Sequence, residues 1–288
     1  MPIKKVNTEV LALLRCPICQ SELHEDALAL VCENNHSFDR SKLGYVTLLS
    51  GDAIQNTADN LDMVFCRQRF HTRNYYKPFA QKLADEVAAV VPSTGAIVAD
   101  IGAGTGYYSA VLTRAIPGIE IVDFDLSKRA LQRAVQLSSV ITAIVADTWA
   151  GLPVKDEAFD ALINVFAPRN AEDFARIVKP GGYVFVSTPT PKHLLEIREA
   201  AHLIRIGRQD SDKKADLREK MIPYFDLVKT ETIEFPLAFD ERSVYDLVMM
   251  GPNAYHTDGD ELLHVIGELQ RPIEATFSVD LHTYRKQI

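Results

Sequence analysis

The stretch Ala96-Ile-Val-Ala-Asp-Ile-Gly-Ala-Gly-Thr-Gly106 decides the fold. Its first residues are apolar and partly β-branched, the pattern of a short strand buried on both faces that ends at Asp100-Ile101. Gly102, Gly104 and Gly106 follow at alternate positions, so the backbone there can approach a ligand with no Cβ in the way. Tyr107-Tyr-Ser-Ala-Val-Leu-Thr-Arg114 then reads as a helix. Its unpaired N-terminal N–H groups would sit behind the glycine loop and favour an anionic group. A dinucleotide fingerprint, G-x-G-x-x-G, would need glycine at 107, where Tyr107 stands instead. Taken alone, the glycine triplet also fits a bare strand-turn-helix.

The sequence on both sides raises its meaning. Ile119-Glu-Ile-Val-Asp-Phe-Asp125 is a second strand with an acidic end, from which a carboxylate can accept hydrogen bonds from ribose hydroxyls. Val140-Ile-Thr-Ala-Ile-Val-Ala-Asp147 is a third, Asp160-Ala-Leu-Ile-Asn-Val-Phe-Ala-Pro168 a fourth with its loop, and Val178-Lys-Pro-Gly-Gly-Tyr-Val-Phe-Val-Ser187 a turn and fifth. Strands alternating with helices predict a parallel sheet with one site at its carboxyl edge. Residues 224–235 and 276–284 alternate apolar and polar, so they read as an antiparallel end to the sheet, with a helix at 240–250 between them. Residues 251–272 are expected to insert a loop and helix over the site.

Upstream, Cys16-Pro-Ile-Cys19 is followed after twelve residues by Cys32-Glu-Asn-Asn-His36. A C-x2-C knuckle supplies two corners of a tetrahedron and C-x3-H the other two, the pattern of a structural zinc. Residues 20–31 read as a hairpin between the pairs. So small a module cannot bury a core of its own, and metal would stabilise it directly. His24 is an alternative fourth ligand, and reduced cysteines or a redox pair are alternatives to metal. Cys66 stands alone as a buried small hydrophobe. Residues 6–14 suggest a short leading helix, 50–60 a mobile polar linker, and 60–72 and 76–91 two helices closed by Pro92.

Charge and composition bound the rest. The chain has 288 residues, 47% of them hydrophobic, and a net charge of −8. No apolar run is long enough to cross a bilayer and no signal-peptide core follows Met1, so a cytoplasmic protein without membrane contact is expected. The acidic balance opposes a general nucleic-acid coat but permits a local basic face. Arg67, Arg69, Arg73, Lys77 and Lys82 lie in a window without acids, interleaved with Phe70, His71, Tyr75, Tyr76 and Phe79. These suit an RNA surface, or equally a solvated helix with its own apolar stripe. A second basic stretch, 194–221, borders the expected cleft or forms a salt-bridged surface helix.

Asp-x-Gly-x-Gly-x-Gly resembles motif I of the class I S-adenosylmethionine-dependent methyltransferases, whose loop packs against the methionine part of that cofactor. The ordered set Cys-Pro-x-Cys, Cys-x3-His-Ser-Phe-Asp, Lys-x-Gly-Tyr-Val-x-Leu-Leu, Tyr-Tyr-Lys-Pro-Phe and Asp-Ile-Gly-x-Gly-x-Gly-Tyr-Tyr resembles the bacterial 23S rRNA guanine-N1 methyltransferases along essentially the whole chain. The resemblance implies an α/β fold, a Rossmann-like seven-stranded class I methyltransferase sheet with a small N-terminal zinc ribbon. The corresponding divisions are residues 1–50 for the ribbon, 51–92 for a helical linker and 93–288 for the methyltransferase domain.

It implies S-adenosylmethionine and Zn2+ as cofactors, with Cys16, Cys19, Cys32 and His36 on the metal. Cofactor contacts carry over to Tyr76, Asp100, Gly102, Gly104, Thr105, Gly106, Asp125, Asp147, Thr148 and His193. The substrate implied is a guanine in a hairpin of 23S rRNA domain II, at the mouth of the peptide exit tunnel, and the family's dimers suggest a homodimer. The loop after the fourth strand departs from the D/N-P-P-[YF] signature of amino-methyltransferases, which lowers the expectation of adenine-N6 or cytosine-N4 chemistry. Asn164, Phe166 and Pro168 are its candidate catalytic residues, and no residue is marked as a general base. Two other functions remain open: methyl transfer to a small molecule or protein, and RNA binding without catalysis.

Overall fold

The computed structural model describes residues 6–49, 59–200 and 217–288. Its strands are β1 (Leu23–Asp26), β2 (Ala29–Cys32), β3 (Ser37–Asp39), β4 (Tyr45–Thr47), β5 (Ile97–Ile101), β6 (Glu120–Asp125), β7 (Ile141–Val145), β8 (Phe159–Val165), β9 (Val178–Pro189), β10 (Phe225–Phe239) and β11 (Ile273–Lys286). The helices are α1 (Thr8–Leu13), α2 (Leu61–Thr72), α3 (Lys77–Ala88), α4 (Tyr107–Ala115), α5 (Lys128–Ala134), α6 (Ala171–Ile177), α7 (Leu195–Ala200), α8 (described over 217–221), α9 (Glu241–Met249) and α10 (Gly259–Gly267). The proposed linker lies outside the described residues except for 59–60, as do 201–216 of the basic stretch.

All five residues of β5 are buried, because helices cover both faces of a parallel sheet. The sheet order is β10-β11-β9-β8-β5-β6-β7-β4. From β4 to β9 the neighbours are parallel, and β11 pairs antiparallel with both β9 and β10. The chain leaves β5 toward β6 and β7, then returns to β8 on the other side. β5 therefore stands at the switch point, where its carboxyl end opens a crevice.

The seven strands expected from the sequence are present, and an eighth joins them. β4, from the N-terminal module, pairs with β7 through Tyr45↔Ala143, Val46↔Ile144 and Thr47↔Val145. The ribbon has no separate core. Val10, Leu14, Leu30, Phe38 and Val46 share one apolar cluster with Phe124, Phe159, Leu162 and Phe174 of the main domain. The opposite face is packed by α3, α4 and α9 around Phe70, Phe79 and Phe277. Among the described residues no helix is long and apolar enough to cross a membrane.

The basic window at 64–84 is not the RNA surface considered for it. Phe70, Tyr76 and Phe79 are core residues, and its arginines are held within the chain. Arg67 pairs with Asp59 and donates to the Met250 carbonyl. Arg69 grips Asp246 with Nη2–Oδ1 at 2.6 Å and Nε–Oδ2 at 3.1 Å. Arg73 bonds Asp240 and Ser243. The three bases thus pin α9, and the turn after it, onto α2.

The Asp246 side chain is fully buried, and Arg242 is its second cation at 3.4 Å. Arg69→Ala would leave that carboxylate with a single weak partner. Unfolding in urea is expected to show a loss of about 2 kcal/mol, below the value for a fully buried pair because Arg69 is itself partly exposed. A change under 0.5 kcal/mol, on the order of an ordinary surface substitution, would show that the pair does not hold α9.

Candidate functional site

In the ribbon, the β1–β2 hairpin sets two turns facing each other. The ligand atoms of Cys16, Cys19, Cys32 and His36 all lie within 4.8 Å of one another. Cys19 and Cys32 Sγ are 3.7 Å apart, and His36 Nδ1 lies 3.5 Å from Cys16 Sγ and 3.4 Å from Cys32 Sγ. Sulfurs bound at ~2.3 Å to a tetrahedral zinc stand roughly 3.8 Å apart, so the donor set fits that ion without rearrangement. The Ser21 hydroxyl, 3.0 Å from Cys19 Sγ, is the main cause that draws this thiol down to about 5 and keeps it in the metal-binding thiolate form. No disulfide joins the cysteines. His24 is exposed on β1, opposite Val31, and lies outside the cluster.

A cavity of about 670 Å³ opens at the carboxyl ends of β5 to β8. Of the residues expected at the cofactor site, Tyr76, Gly102, Gly104, Asp125, Asp147, Thr148 and His193 line it, as do Phe166 and Pro168. Asp100, Thr105, Gly106 and Asn164 do not. They stand behind the wall and shape it.

The glycine loop is a cradle with no space to spare. A Cβ on Gly102 would come 2.3 Å from Ala167 Cβ, and one on Gly106 2.7 Å from Ala134 Cβ. Both residues adopt positive φ, +78° and +75°. Asp125 ties the loop to β6: its Oδ2 accepts from the Gly104 N–H at 2.8 Å and its Oδ1 from the Ser127 N–H at 2.7 Å. A tight turn, an acidic strand end and an apolar floor fit the methionine chain, ribose and adenine of S-adenosylmethionine.

Asp100 lies beneath that loop. The Ser109 hydroxyl sits 2.8 Å from Asp100 Oδ2 and 2.6 Å from Asp123 Oδ1, and its one proton cannot serve both. A proton on Asp100 supplies the missing donor. Burial, helped by the Asp125 charge, pushes its carboxyl up to about 7 against the Ser109 bond. Between about pH 4 and 7 the native protein therefore holds a proton that the unfolded chain has lost, so this group's stabilisation, complete below about pH 4, is lost as pH rises through 7. The difference in stability between Asp100→Asn and wild type is expected to shift in favour of the variant from pH 4 to pH 8, followed by thermal midpoint. A pH-independent difference would rule out the shared proton.

His193 accepts the Ser278 N–H on Nδ1 at 3.2 Å, which leaves the proton of the neutral ring on Nε2. Burial, then Arg198, lowers it to about 4, so near pH 7 the ring is an uncharged donor. It stacks with Phe166 at 5.6 Å between centroids. Asn164 acts as a brace: its Nδ2 donates to the Ile101 carbonyl at 3.1 Å and the Pro168 carbonyl at 2.9 Å, fixing the loop after β8 to the end of β5.

Several lining residues were not anticipated as site residues: Arg67, His71, Tyr108, Trp149, Leu247, Val248 and Met250. Trp149 follows directly on Asp147-Thr148 and is the single tryptophan, a signal that was readable. Pro252, Asn253 and Tyr255 belong to the 251–272 segment expected over the site, whereas Leu247 lies on α9, which only tertiary packing brings to the cavity.

A glycine-loop sheet of this topology, joined to a four-ligand ribbon, defines a class I S-adenosylmethionine-dependent methyltransferase bearing a zinc ribbon. Comparisons agree part by part. Residues 14–52 match the family described as RlmA, N-terminal, and residues 98–182 match a methyltransferase domain. The chain is 37% identical to the 23S rRNA (guanine(748)-N(1))-methyltransferase of Streptomyces fradiae, over 95% of this chain and 97% of that protein. It is 36% identical to a Micromonospora griseorubida protein bearing a 23S rRNA (guanine-N(1)-)-methyltransferase name, over 97% of this chain and 99% of the other. The solved YcgJ protein of Bacillus subtilis shares the fold, with a TM-score of 0.50 at 16% identity, covering 73% of this chain and 99% of that one. The chain belongs to the 23S rRNA (guanine-N1)-methyltransferase family.

Proposed function

We propose that this protein transfers a methyl group from S-adenosylmethionine to N1 of a guanine in a hairpin of 23S rRNA domain II, in the bacterial cytoplasm, as a homodimer. The observation that carries this is the end-to-end likeness to the Streptomyces fradiae enzyme, which spans ribbon and sheet together. Residues 1–50 form the zinc ribbon, 51–92 the helical linker and 93–288 the catalytic domain. Cys16, Cys19, Cys32 and His36 hold the metal. Tyr76, Gly102, Gly104, Asp125, Asp147, Thr148 and His193 contact the cofactor, while Asp100, Thr105 and Gly106 shape the loop from behind.

When bound, the cofactor supplies a methyl group on a sulfonium, an electrophile that needs an aligned nucleophile and little else. The chain's part is positioning and the exclusion of water. Guanine N1 loses a proton as it is methylated, and the charge that develops on O6 calls for a donor. His193 offers Nε2–H beside Phe166, and the loop from 165 to 168, braced by Asn164, forms the floor on which the base is held. A base in a folded hairpin must be splayed out of its stack to enter.

The test is transfer of tritiated methyl to unmodified 23S rRNA, mapped by primer extension, because N1-methylguanine stops the polymerase. A stop in the domain II hairpin, absent with Asp125→Ala, is the expected result and identifies which of two nearby guanines is modified. Cofactor binding without transfer to any RNA would overturn the proposal. Sedimentation equilibrium at micromolar concentration tests the dimer.

A further inference from the structure

The chain has one tryptophan, 10 tyrosines and 13 phenylalanines, and all lie within the described residues. Only three of these rings are exposed: Trp149 at 64%, Tyr255 at 51% and Phe166 at 41%. All three line the one cavity described above. They come from three separate segments. Trp149 lies in the loop after β7, where its backbone N–H donates to Asp147 Oδ1 at 2.9 Å and closes a turn. Phe166 lies in the loop after β8. Tyr255 ends the 3-10 turn Pro252–Tyr255, over the opening.

Phe166 is held out at a cost. Its φ is +54°, a left-handed backbone that a bulky residue adopts only where its surroundings enforce it, at about 1–3 kcal/mol. The enforcement is visible: Asn164 staples the loop, and the Phe166 N–H donates to Ser187 Oγ at 3.2 Å. Strain spent on showing an apolar ring to solvent needs a ligand to account for it.

We propose that Trp149, Phe166 and Tyr255 form a stacking clamp for unpaired RNA bases, with Phe166 against the extruded target guanine and Trp149 and Tyr255 against neighbouring nucleotides. The inference rests on the rRNA function proposed above and supplies its base-recognition surface. It also replaces the basic window at 64–84, whose Phe70, Tyr76 and Phe79 are buried. The spacing of the rings favours nucleotides over a protein partner. They stand apart around a concave opening whose lining also carries polar residues such as Asp147, Thr148 and Asn253, whereas a protein interface presents a contiguous apolar patch. Each base offers a flat π-face to one ring, and stacking of this kind tolerates sequence.

Trp149 reports on its own surroundings, since no other indole contributes fluorescence. Wild-type protein would be titrated first with S-adenosylhomocysteine, then with an unmodified domain II hairpin transcript, following Trp149 emission and RNA affinity. The expected result is little change with the cofactor product and strong quenching with RNA. Trp149→Ala and Tyr255→Ala are each expected to weaken RNA binding on the order of tenfold, with affinity for S-adenosylhomocysteine within about twofold. Trp149→Phe and Tyr255→Phe should restore most of the loss.

Quenching by S-adenosylhomocysteine with no further change on adding RNA would assign Trp149 to the adenine and overturn the clamp. So would Ala variants that bind RNA as wild type does, or that lose both ligands equally. Wild type that binds S-adenosylhomocysteine but no RNA would instead sink the rRNA function itself, and the clamp with it.

Discussion

Stripping the metal with a chelator, or replacing Cys16 with Ser, is expected to destabilise the whole protein rather than the ribbon alone. Cys16 and Cys32 are buried, and the apolar residues around them belong to the cluster that reaches Phe124 and Phe159 under the central sheet. β4 is also the edge strand of that sheet. Structural zinc contributes apparent binding energies on the order of 10 kcal/mol or more to small modules, and here that energy is coupled to the shared core. The melting temperature of the main transition should fall by about 10 °C or more, using ~2–4 °C per kcal/mol for a domain of this size. Calorimetry with metal quantified in parallel decides it. Loss of zinc with the main transition unmoved within about 2 °C would mean that the ribbon is an independent appendage, contrary to its packing.

The second large effect is expected at Gly102. An alanine there must both keep a φ of +78° and place its Cβ 2.3 Å from Ala167 Cβ. The loop after β8, held by Asn164, would have to move away from the glycine loop, and the two loops meet in the wall of one cavity. S-adenosylhomocysteine affinity measured by calorimetry should fall on the order of 100-fold, the equivalent of the roughly 3 kcal/mol that an overpacked contact costs. Gly95→Ala is the control. It has a similar φ of +70°, but no atom lies within 4 Å of the added Cβ, so it carries backbone strain of about 1–2 kcal/mol without the clash and should bind the ligand normally. Gly102→Ala binding within threefold of wild type would remove the cradle from the cofactor site.

The fold was legible wherever periodicity or spacing is local. β5, the glycines and α4 followed from one eleven-residue stretch, and the metal ligands from two short spacings. The antiparallel pair at the end of the sheet followed from alternation, because β10 keeps one face half-buried along most of its length. The misses are long-range. Arg67, Arg69 and Arg73 looked free because their partners Asp59, Asp240 and Asp246 include two residues more than 160 positions away. Nothing near Tyr45–Thr47 signals that its partner strand lies in the methyltransferase sheet. Asn164, a candidate for chemistry by its place in the loop, gives its two amide N–H groups to backbone carbonyls and keeps its Oδ1 without a hydrogen-bond partner, a division of roles that only the folded loop shows. The exposed rings at 149, 166 and 255 belong to three segments that no periodicity links.

The pairing of β4 with β7 also sets an order of events during synthesis. Thr47 pairs with Val145, so β4 leaves the ribosome roughly a hundred residues ahead of its partner, an interval of about 5–20 s at bacterial elongation rates. The metal ligands are complete at His36, ahead of β4 itself. Zinc can therefore hold the nascent ribbon in shape while its sheet is still being translated, which makes metal supply a requirement of biogenesis as well as of the finished enzyme.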